Sequence, residues 1–499
     1  MNWHLQELRA RTIARVALEM QPEYSQTETH TMRTHLQRKR YIIWPGMLAL
    51  LLILAGCGGS SDLPTATPQP TLVLSPLPSS SATPSAADWT TYHGDNTRTG
   101  YVPGEPDPKS LTKAWNTHLD GAVYAEPLIV NGHVIVATEG DSLYSLDAHS
   151  GKVKWHTNVG TPVPLSDLPC GNIDPLGITG TPVYDPATHL VFAVAEVTGF
   201  SHILVGVDVN TGKILVRQPV DVPGMDARAH QQRAALALAN GMVYIAYGGL
   251  DGDCSDYIGR VVALRTDGRG PLLAFTVPTS REGGIWAPPG PSVDASGNIY
   301  VSVGNGAATG GNWDHSDSVL KLSPTLQLKD GFAPRQWPQD NAGDADLGSM
   351  GPVLLPGGLI FADGKSGLGY LLHANALGGV GGQIQVTTVC HAFGGSAVQG
   401  STVIVPCVEG IRQVQISADA HMTVGWQAPP HVTGSPVIGG QTVYSLDPNG
   451  TLYALNIQDG KIVTMLPIDA TSRFATPTLS AGMLFVGTLS GVVAVTINQ

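Results

Sequence analysis

Short apolar runs separated by turns that contain Gly, Asn or Pro recur along the chain from about residue 114. In residues 125–137, AEPLIVNGHVIVA, one apolar run is followed by a tight Asn-Gly turn and a second apolar run. Runs of this length bounded by turn residues are typical of β-strands joined in hairpins. The pattern therefore predicts strands, and very little helix, from this point to the C-terminus.

The hairpin unit occurs eight times, at a spacing of about 40–61 residues. The copies begin at residues 125, 180, 233, 289, 350, 395, 434 and 475. Most copies continue with a third strand, a turn of Asp or Asn with Gly, and a fourth strand, as in YSLDAHSGKVKWHT (144–157). This length fits a four-stranded propeller blade and is too long for leucine-rich or tetratricopeptide units.

The last copy ends after a third strand, GVVAVTINQ, so we expect AWNTHL (114–119) to supply the fourth. Such pairing would join the two ends of the domain and would cover an exposed strand edge. The sequence thus predicts an all-β fold: an eight-bladed β-propeller of four-stranded antiparallel blades, with the ring closed by an N-terminal strand.

Composition and charge narrow the classes of protein and partner. The 499 residues include 60 Gly and 37 Pro, with 42% apolar and only 13% charged residues, which argues against a helical bundle and against general disorder. Residues 1–56 carry seven Lys/Arg and four Asp/Glu, which leaves a net charge of −15 for residues 57–499. Because phosphate backbones are bound by clustered Lys and Arg, we expect no nucleic acid partner.

The N-terminal region contains an export signal. A basic cluster, Arg38–Arg40, precedes an apolar run of about 14 residues that ends in Leu54-Ala55-Gly56-Cys57. This arrangement resembles a bacterial lipoprotein signal peptide with its lipobox, which implies that Cys57 carries the lipid. A short transmembrane anchor is the alternative, but the run is too short to span a bilayer comfortably. Either interpretation places the remainder outside the cytoplasm, and the first predicts attachment to the cell membrane.

Four regions follow from these features. Residues 1–31 have no place in such a signal and are expected to be untranslated or disordered, with Met32 as the candidate start. Residues 32–57 form the signal peptide and lipobox, and residues 58–87, rich in Ser, Thr and Pro, are expected to be a flexible tether. Residues 88–499 form the propeller.

The repeat resembles that of pyrroloquinoline quinone (PQQ) propellers. Asp147, Gly151 and Trp155 in LDAHSGKVKW are similar to the tryptophan-docking motif of that family, and WTTYHGDNTRTG (89–100) is similar to the segment that opens its propellers. The family contains quinoprotein dehydrogenases and non-enzymatic members, such as the lipoprotein of the outer-membrane β-barrel assembly machine. The resemblance therefore implies the fold but does not choose the function.

The dehydrogenase branch binds PQQ together with a calcium ion, and the resemblance implies a residue for each role. The implied calcium ligands are Glu196, Asn305 and Asp346. The implied cofactor-binding residues are Trp286, which would stack on the quinone, and Lys365, which would hydrogen-bond to it; the implied catalytic base is Asp346 or its neighbour Asp344. Carboxylate and amide oxygens suit calcium, and a base beside a cation suits alcohol oxidation.

Two departures weaken the enzymatic interpretation. The alcohol dehydrogenases carry adjacent cysteines over the cofactor, and this chain has none; it also has no CxxCH motif for an attached haem. We therefore expect an extracytoplasmic binding or assembly platform, with a PQQ- and calcium-dependent dehydrogenase acting on an alcohol, polyol or sugar as the alternative. A weaker alternative is a module that binds polysaccharide or cell wall through Trp286 and Trp313.

The long loops of such a propeller are expected on one face. They fall between second and third strands or between blades, at residues 157–178, 223–232, 248–257, 304–317 and 331–349. This face is the predicted binding surface for a protein or carbohydrate ligand. His230-Gln231-Gln232-Arg233 approaches the same face and is a candidate anion clamp, with hydrogen bonding between blades as the alternative role.

Four cysteines remain after Cys57. Cys170 and Cys254 fall in long loops of the predicted binding face, whereas Cys390 precedes the sixth blade and Cys407 ends its second strand. No pair has the spacing of a zinc or redox motif. An oxidising compartment favours disulfides, and we predict the pairs Cys170–Cys254 and Cys390–Cys407, with four buried free thiols as the alternative.

Overall fold

The computed structural model describes residues 88–499. The predicted leader, the predicted lipidation site Cys57 and the predicted tether lie outside the described residues. Between residues 88 and 499, no helix is long and apolar enough to cross a membrane.

The first half of the domain contains two N-terminal strands and four antiparallel sheets, which we call blades 1–4. The first two strands are β1 (Tyr101–Val102) and β2 (Ser110–His118). Blade 1 consists of β3 (Leu128–Val130), β4 (His133–Thr138), β5 (Ser142–Asp147) and β6 (Val153–Asn158). Blade 2 consists of β7 (Val183–Asp185), β8 (Leu190–Val197), β9 (Ser201–Asp208) and β10 (Ile214–Pro219). Blade 3 consists of the short β11 (His230–Gln231) and of β12 (Ala237–Ala239), β13 (Met242–Gly249), β14 (Arg260–Arg265) and β15 (Leu273–Thr276). Blade 4 consists of β16 (Ser292–Val293), β17 (Ile299–Val303), β18 (Ser318–Leu322) and β19 (Leu328–Ala333).

The second half contains blades 5–8. Blade 5 consists of β20 (Val353–Leu355), β21 (Leu359–Ala362), β22 (Leu368–His373) and β24 (Gln385–Thr388), while β23 (Gly379–Val380) pairs with β19 of blade 4. Blade 6 consists of β25 (Ala397–Gln399), β26 (Thr402–Val405), β27 (Arg412–Ile416) and β28 (Met422–Gln427). Blade 7 consists of β29 (Val437–Gly439), β30 (Thr442–Asp447), β31 (Thr451–Asn456) and β32 (Ile462–Pro467), with β1 added beside β29. Blade 8 consists of β33 (Thr478–Ser480), β34 (Met483–Thr488), β35 (Gly491–Asn498) and β2. One short helix, α1 (Trp337–Ala342), and the 3₁₀ turns Tyr92–Gly94, Leu165–Asp167 and Leu347–Ser349 lie between strands.

The eight-bladed all-β propeller predicted from the repeat is confirmed. Its burial pattern explains the apolar runs: the second strand β4 is buried at every position after its first, because neighbouring blades cover both of its faces. From Lys154 onward, the outer strand β6 alternates between exposed and covered positions, because it lies at the rim. Blade 8 takes its outer strand from the start of the domain, since β2 pairs antiparallel with β35 from Ser110 opposite Asn498 to His118 opposite Gly491.

Tryptophan side chains dock one blade onto a turn of the next. The indole nitrogen of Trp155 in blade 1 donates to the carbonyl of Val209 in blade 2 at 2.8 Å, and the ring covers Gly212. This glycine has a φ of +73°, and a Cβ at this position would lie 2.8 Å from the indole, so the turn requires glycine. Trp115 docks from blade 8 onto blade 1 and Trp426 from blade 6 onto blade 7 in the same way.

The segment that leads into and includes β1 forms a central plug, defined here as residues 89–102. Its backbone pairs with the innermost strand of several blades, and its carbonyls accept hydrogen bonds of 2.7–2.8 Å from the amides of Tyr184, Val293, Val398 and Ile438. Trp89 exchanges two backbone hydrogen bonds with Ile129 of blade 1. The plug therefore joins blades 1, 2, 4, 6 and 7 through their inner strands.

Candidate functional site

A pocket of about 570 Å³ opens among the loops that link second to third strands and one blade to the next. Its walls come from the regions before blades 1, 2, 3, 4, 5, 6 and 8 and from the turns inside blades 3, 4, 5 and 8. These include most of the long loops identified in the sequence. Among the predicted site residues, the structure brings Trp286, Asn305, Asp344, Asp346 and Lys365 together here.

Lys365 holds the polar wall of the pocket together. Its ammonium lies 2.7 Å from Oδ2 of Asp346 and 2.6 Å from Oδ1 of Asp344. The side-chain amide of Asn305 donates to the same Asp344 oxygen at 2.7 Å. The Lys365 ammonium also lies 5.6 Å from the centroid of the Trp286 ring, within the range of a cation–π contact.

Burial and the ion pairs set the proton affinities of this network. Burial raises the pKa of Asp346 to about 6, although Lys365 acts to lower it. Burial acts to lower the pKa of Lys365, but the Asp346 and Asp344 carboxylates outweigh this effect and raise it. Asp346 is therefore a carboxylate that can take up a proton near neutral pH, beside a lysine that stays charged.

Close backbone approaches place these side chains. Gly304 precedes Asn305 at the end of β17, and a Cβ there would lie 3.2 Å from the indole nitrogen of Trp286 and 3.4 Å from Oδ1 of Asp346. The amide of Lys365 donates to the Asp346 carbonyl at 3.0 Å, which ties the turn of blade 5 to the loop before that blade. Three loops distant in sequence therefore meet at one glycine.

Glu196 is not in this pocket. It lies near the end of β8, where Oε2 is 3.4 Å from Nε2 of His202, and Nδ1 of the same imidazole is 2.7 Å from Asp221. Burial acts to lower the pKa of His202, but the two carboxylates outweigh it and raise the pKa to about 10. The structure thus places Glu196 in a buried ion-pair triad, away from the other predicted calcium ligands.

The calcium ion implied by the resemblance is matched only in part. Oδ1 of Asn305 and Oδ1 of Asp346 are buried oxygens without a hydrogen-bond donor, which are the atoms that calcium would take. The second oxygen of Asp346 is held by Lys365, and Glu196 faces His202. No cluster of three or more His, Cys, Asp or Glu side chains able to hold a metal is found between residues 88 and 499. The residues present do not complete the expected ligand set.

An aromatic and cationic wall faces the Lys365 network, and sequence reasoning identified only part of it. Arg233, at the end of the predicted anion clamp, lines the pocket together with Arg473, Phe393 and Phe474, which the sequence analysis did not single out. The centroids of Phe393 and Phe474 lie 6.4 and 6.5 Å from that of Trp286.

The repeat contains a signal that identifies this wall. Tyr124, Arg233, Phe393 and Phe474 each lie four residues before the innermost strand of their blade, at Leu128, Ala237, Ala397 and Thr478. The same position holds small residues in other blades. A large side chain at this repeat position lies at the pocket because the chain approaches the inner strand from the long-loop face.

Both predicted disulfides are confirmed, and one supports the pocket wall. Cys170–Cys254 joins the loop before blade 2 to the long turn of blade 3, and both segments contribute lining residues, such as Ile173 and Asp251. Cys390–Cys407 lies at blade 6. Disulfides of this kind are typical of chains outside the cytoplasm.

Replacing both members of one disulfide with serine should cost more stability at Cys170–Cys254 than at Cys390–Cys407. The Cys170–Cys254 bond joins residues that are 84 positions apart in the sequence, whereas the Cys390–Cys407 bond joins residues that are 17 positions apart. Chain entropy then predicts a difference of about 1.4 kcal/mol between the two losses, within a range of about 2–5 kcal/mol for each. Urea unfolding of both double variants measures this difference. An equal or reversed order would contradict the loop-length argument.

Comparisons with known proteins agree with the repeat and the fold. Residues 107–250 match the family model described as outer membrane protein assembly factor BamB. A search of curated proteins found no match.

Solved structures with the same fold include enzymes and an assembly factor. The chain is similar to the quinohemoprotein alcohol dehydrogenase of Comamonas testosteroni, with 16% identity, a TM-score of 0.64, and coverage of 82% of this chain and 80% of the other. It is similar to a europium-containing methanol dehydrogenase, with 14% identity, a TM-score of 0.65, and coverage of 82% and 98%. It is also similar to BamB from Moraxella catarrhalis, with 14% identity, a TM-score of 0.55, and coverage of 77% and 99%.

The resemblance to PQQ-like β-propeller proteins is thereby confirmed, in the repeat sequence over residues 107–250 and in the fold over the ring. The family match and the two disulfides support a location outside the cytoplasm.

Proposed function

We propose that this protein is an extracytoplasmic binding platform, held at the membrane by a lipid on Cys57, whose ligand occupies the central pocket of the long-loop face. The observation that carries the proposal is the pocket itself. It is large enough for a small molecule or an inserted side chain, at about 570 Å³, and its wall combines the Trp286 ring with charged side chains. Such a combination can fix the orientation of a bound ligand, and binding of this kind needs no catalysed reaction of that ligand.

A second candidate, a PQQ-dependent dehydrogenase, is favoured by one specific observation. Trp286, Asp346 and Lys365 meet in one pocket, as the resemblance to quinoproteins implies. Trp286 would provide a flat surface, Lys365 would stabilise a negative oxygen, and Asp346 would accept the proton of an alcohol. Bound PQQ would supply the two-electron oxidising chemistry. The incomplete calcium ligand set makes this the second candidate.

The weaker alternative, binding of polysaccharide or cell wall, gains no support from the contacts of its aromatic residues. The Trp313 ring stacks on His315 at 4.4 Å, so its own loop covers one face of the ring. The Trp286 ring lies near the cations of Arg233 and Lys365, and the neighbouring rings of Phe393 and Phe474 are inclined to it by 53° and 80°, so the three rings do not form a flat row.

One set of measurements on the purified full-length chain separates the two leading candidates. Native mass spectrometry should show a retained ligand that is lost in the Trp286→Ala variant, because that ring forms part of the pocket wall. Titration with PQQ and Ca²⁺ should give neither a quinone absorbance change nor dye reduction with alcohols if the protein is only a binding platform. Activity that disappears in Asp346→Asn and persists in Asp459→Asn, an exposed carboxylate on blade 7, would instead establish the dehydrogenase. A chain without retained ligand in the wild type would contradict the platform.

A further inference from the structure

The face opposite the long loops is where the chain enters the domain. This face consists of the turns that join first to second and third to fourth strands, and we call it the short-turn face. In the turn between β3 and β4, the amide of Asn131 donates to Oδ1 of Asp88 at 3.0 Å. Asp88 is the first described residue and directly follows the predicted tether. The link to the predicted lipid on Cys57 therefore joins the domain on the side away from the pocket.

Exposed apolar side chains lie at the rim of the short-turn face on blades 1, 2 and 7. They occupy the start of the outer strand, just after the turn that follows the third strand. The four side chains, which we call the rim patch, are 37–55% exposed: Val153, Leu215, Ile462 and Val463. Blade 8 connects these blades into one arc, since it follows blade 7 and docks on blade 1 through Trp115. The rim patch thus lies on the same side of the ring as Asp88.

A lysine precedes the exposed apolar side chains in each of these turns. The three exposed lysines are Lys152, Lys213 and Lys461. The same turns also contain Asp147, Asp208 and Asp459, so the rim has little net charge. Aliphatic side chains beside lysine suit the boundary of a bilayer, because the aliphatic groups can enter it while the ammonium groups stay at the level of the phosphates.

The long-loop face has a different charge. Six exposed aspartates extend from the loops before blades 2 and 3 and from the long turn of blade 3, and no ion pair joins any of them to a cation within residues 88–499. They are Asp167, Asp174, Asp226, Asp251, Asp253 and Asp256. A bilayer that contains anionic phospholipids repels such a surface. The two faces therefore differ in their affinity for a membrane.

We propose that the rim patch rests on the phospholipid surface of the membrane that holds the lipid anchor, so that the pocket opens away from that membrane. This inference rests on the lipid attachment in the proposed function and adds the orientation of the domain. A fully extended chain as long as residues 58–87 spans up to about 100 Å, so its length permits contact through either face and the surfaces decide. Attachment to the same bilayer raises the local concentration of the patch, and a weak contact is then sufficient.

Two leucines on opposite faces provide an internal test of this orientation. Leu215 belongs to the rim patch and is 55% exposed, whereas Leu489, between β34 and β35 on the long-loop face, is 45% exposed. The full-length lipidated chain is placed in vesicles of phosphatidylethanolamine and phosphatidylglycerol and oxidised with hydroxyl radicals, and mass spectrometry measures both rates. On a free surface, Leu215 should react at least as fast as Leu489. Contact with the bilayer should make Leu215 slower than Leu489 by about threefold or more.

Matched double variants connect this protection to the rim patch. Val153→Asp with Val463→Asp should return the two leucines to similar rates, because a charge is unfavourable at the bilayer boundary. Val380→Asp with Val386→Asp is the control, since these valines are similarly exposed but lie at blades 4 and 5, across the ring. This control should keep Leu215 protected. The ratio of the two rates in the wild type tests the orientation even if the first double variant fails to fold.

Several outcomes would overturn the orientation. One is similar oxidation of both leucines, or slower oxidation of Leu489, in the membrane-bound wild type. Another is protection of Leu215 that increases with the density of protein on the vesicles, which would assign the patch to a second copy of the chain. Flotation of the wild type with vesicles tests the lipid attachment separately. A chain that floats without protection of Leu215 loses only the orientation, whereas a chain that does not float contradicts the lipid attachment as well.

Discussion

Replacing Arg98 with methionine should destabilise the domain by about 3–5 kcal/mol. Arg98 is 2% exposed and lies in the central plug. Its guanidinium donates to the hydroxyl of Thr91 at 2.5 Å, to the carbonyl of Leu236 at 3.0 Å and to the carbonyl of Pro291 at 2.9 Å. Methionine fills much of the volume but removes these donations in the centre of the ring, where water cannot replace them. The Leu236 carbonyl then keeps only the Thr91 hydroxyl, at 3.5 Å.

The neighbouring Glu126 adds to this loss. It accepts hydrogen bonds from the Trp89 indole at 3.0 Å and the His93 amide at 2.8 Å. Burial raises the pKa of Glu126 well above its usual value and Arg98 acts to lower it, so removal of Arg98 takes away a favourable electrostatic contact of this buried group. Urea unfolding followed by circular dichroism measures the effect. Arg265→Met, at an exposed pair with Asp267, should change stability by less than about 0.5 kcal/mol. A similarly small change for Arg98→Met would show that the plug contributes little to the stability of the ring.

Replacing Trp115 with alanine should cost about 3 kcal/mol and should loosen the ring where it closes. The Trp115 indole nitrogen donates to the Ala148 carbonyl at 2.9 Å, and the ring packs against Gly151, which has a φ of +68°. Trp115 lies on β2, which is the outer strand of blade 8, and docks on the turn of blade 1. Its loss therefore weakens the contact between the last and first blades.

Trp155→Ala is the matched comparison, because Trp155 docks blade 1 on blade 2 through the same contacts but at a joint inside the ring. Both variants should lower the free energy of unfolding by similar amounts. Hydrogen–deuterium exchange should increase selectively in β2 and β35 only for Trp115→Ala, since partial opening begins where the chain ends meet. The same exchange pattern in both variants would refute a special role of the closing joint.

The fold could be predicted from sequence because a propeller is built by local repetition. Each hairpin has its own apolar strands and turn residues. The turns at Asn131-Gly132 and Gly151 can therefore be predicted without knowledge of the neighbouring blades. The disulfide pairing was also predictable, since blade order places Cys170 and Cys254 in adjacent loops. The central plug was not predicted, because its residues match no strand pattern and acquire their hydrogen-bond partners only when the inner strands form a ring.

The candidate site was only partly predictable. Trp286, Asn305, Asp346 and Lys365 occupy repeat positions that the family resemblance makes recognisable, and they meet in the pocket. Glu196 also occupies the strand position that the family resemblance implies. The direction of its side chain depends on the partner available, however, and that partner is His202. Strand position alone does not contain that information.

The amino-acid sequence by itself determined the number of blades, the long-loop face and the cysteine pairs, because these depend on short-range periodicity and on the order of the repeats. Only the tertiary structure decided which charges are paired. It placed Lys365 between Asp344 and Asp346, and it brought Arg233 and Arg473 together around Phe474. Arg233 and Arg473 are 240 positions apart in the sequence. Their meeting depends on closure of the ring, and no local pattern encodes a contact between blades 3 and 8.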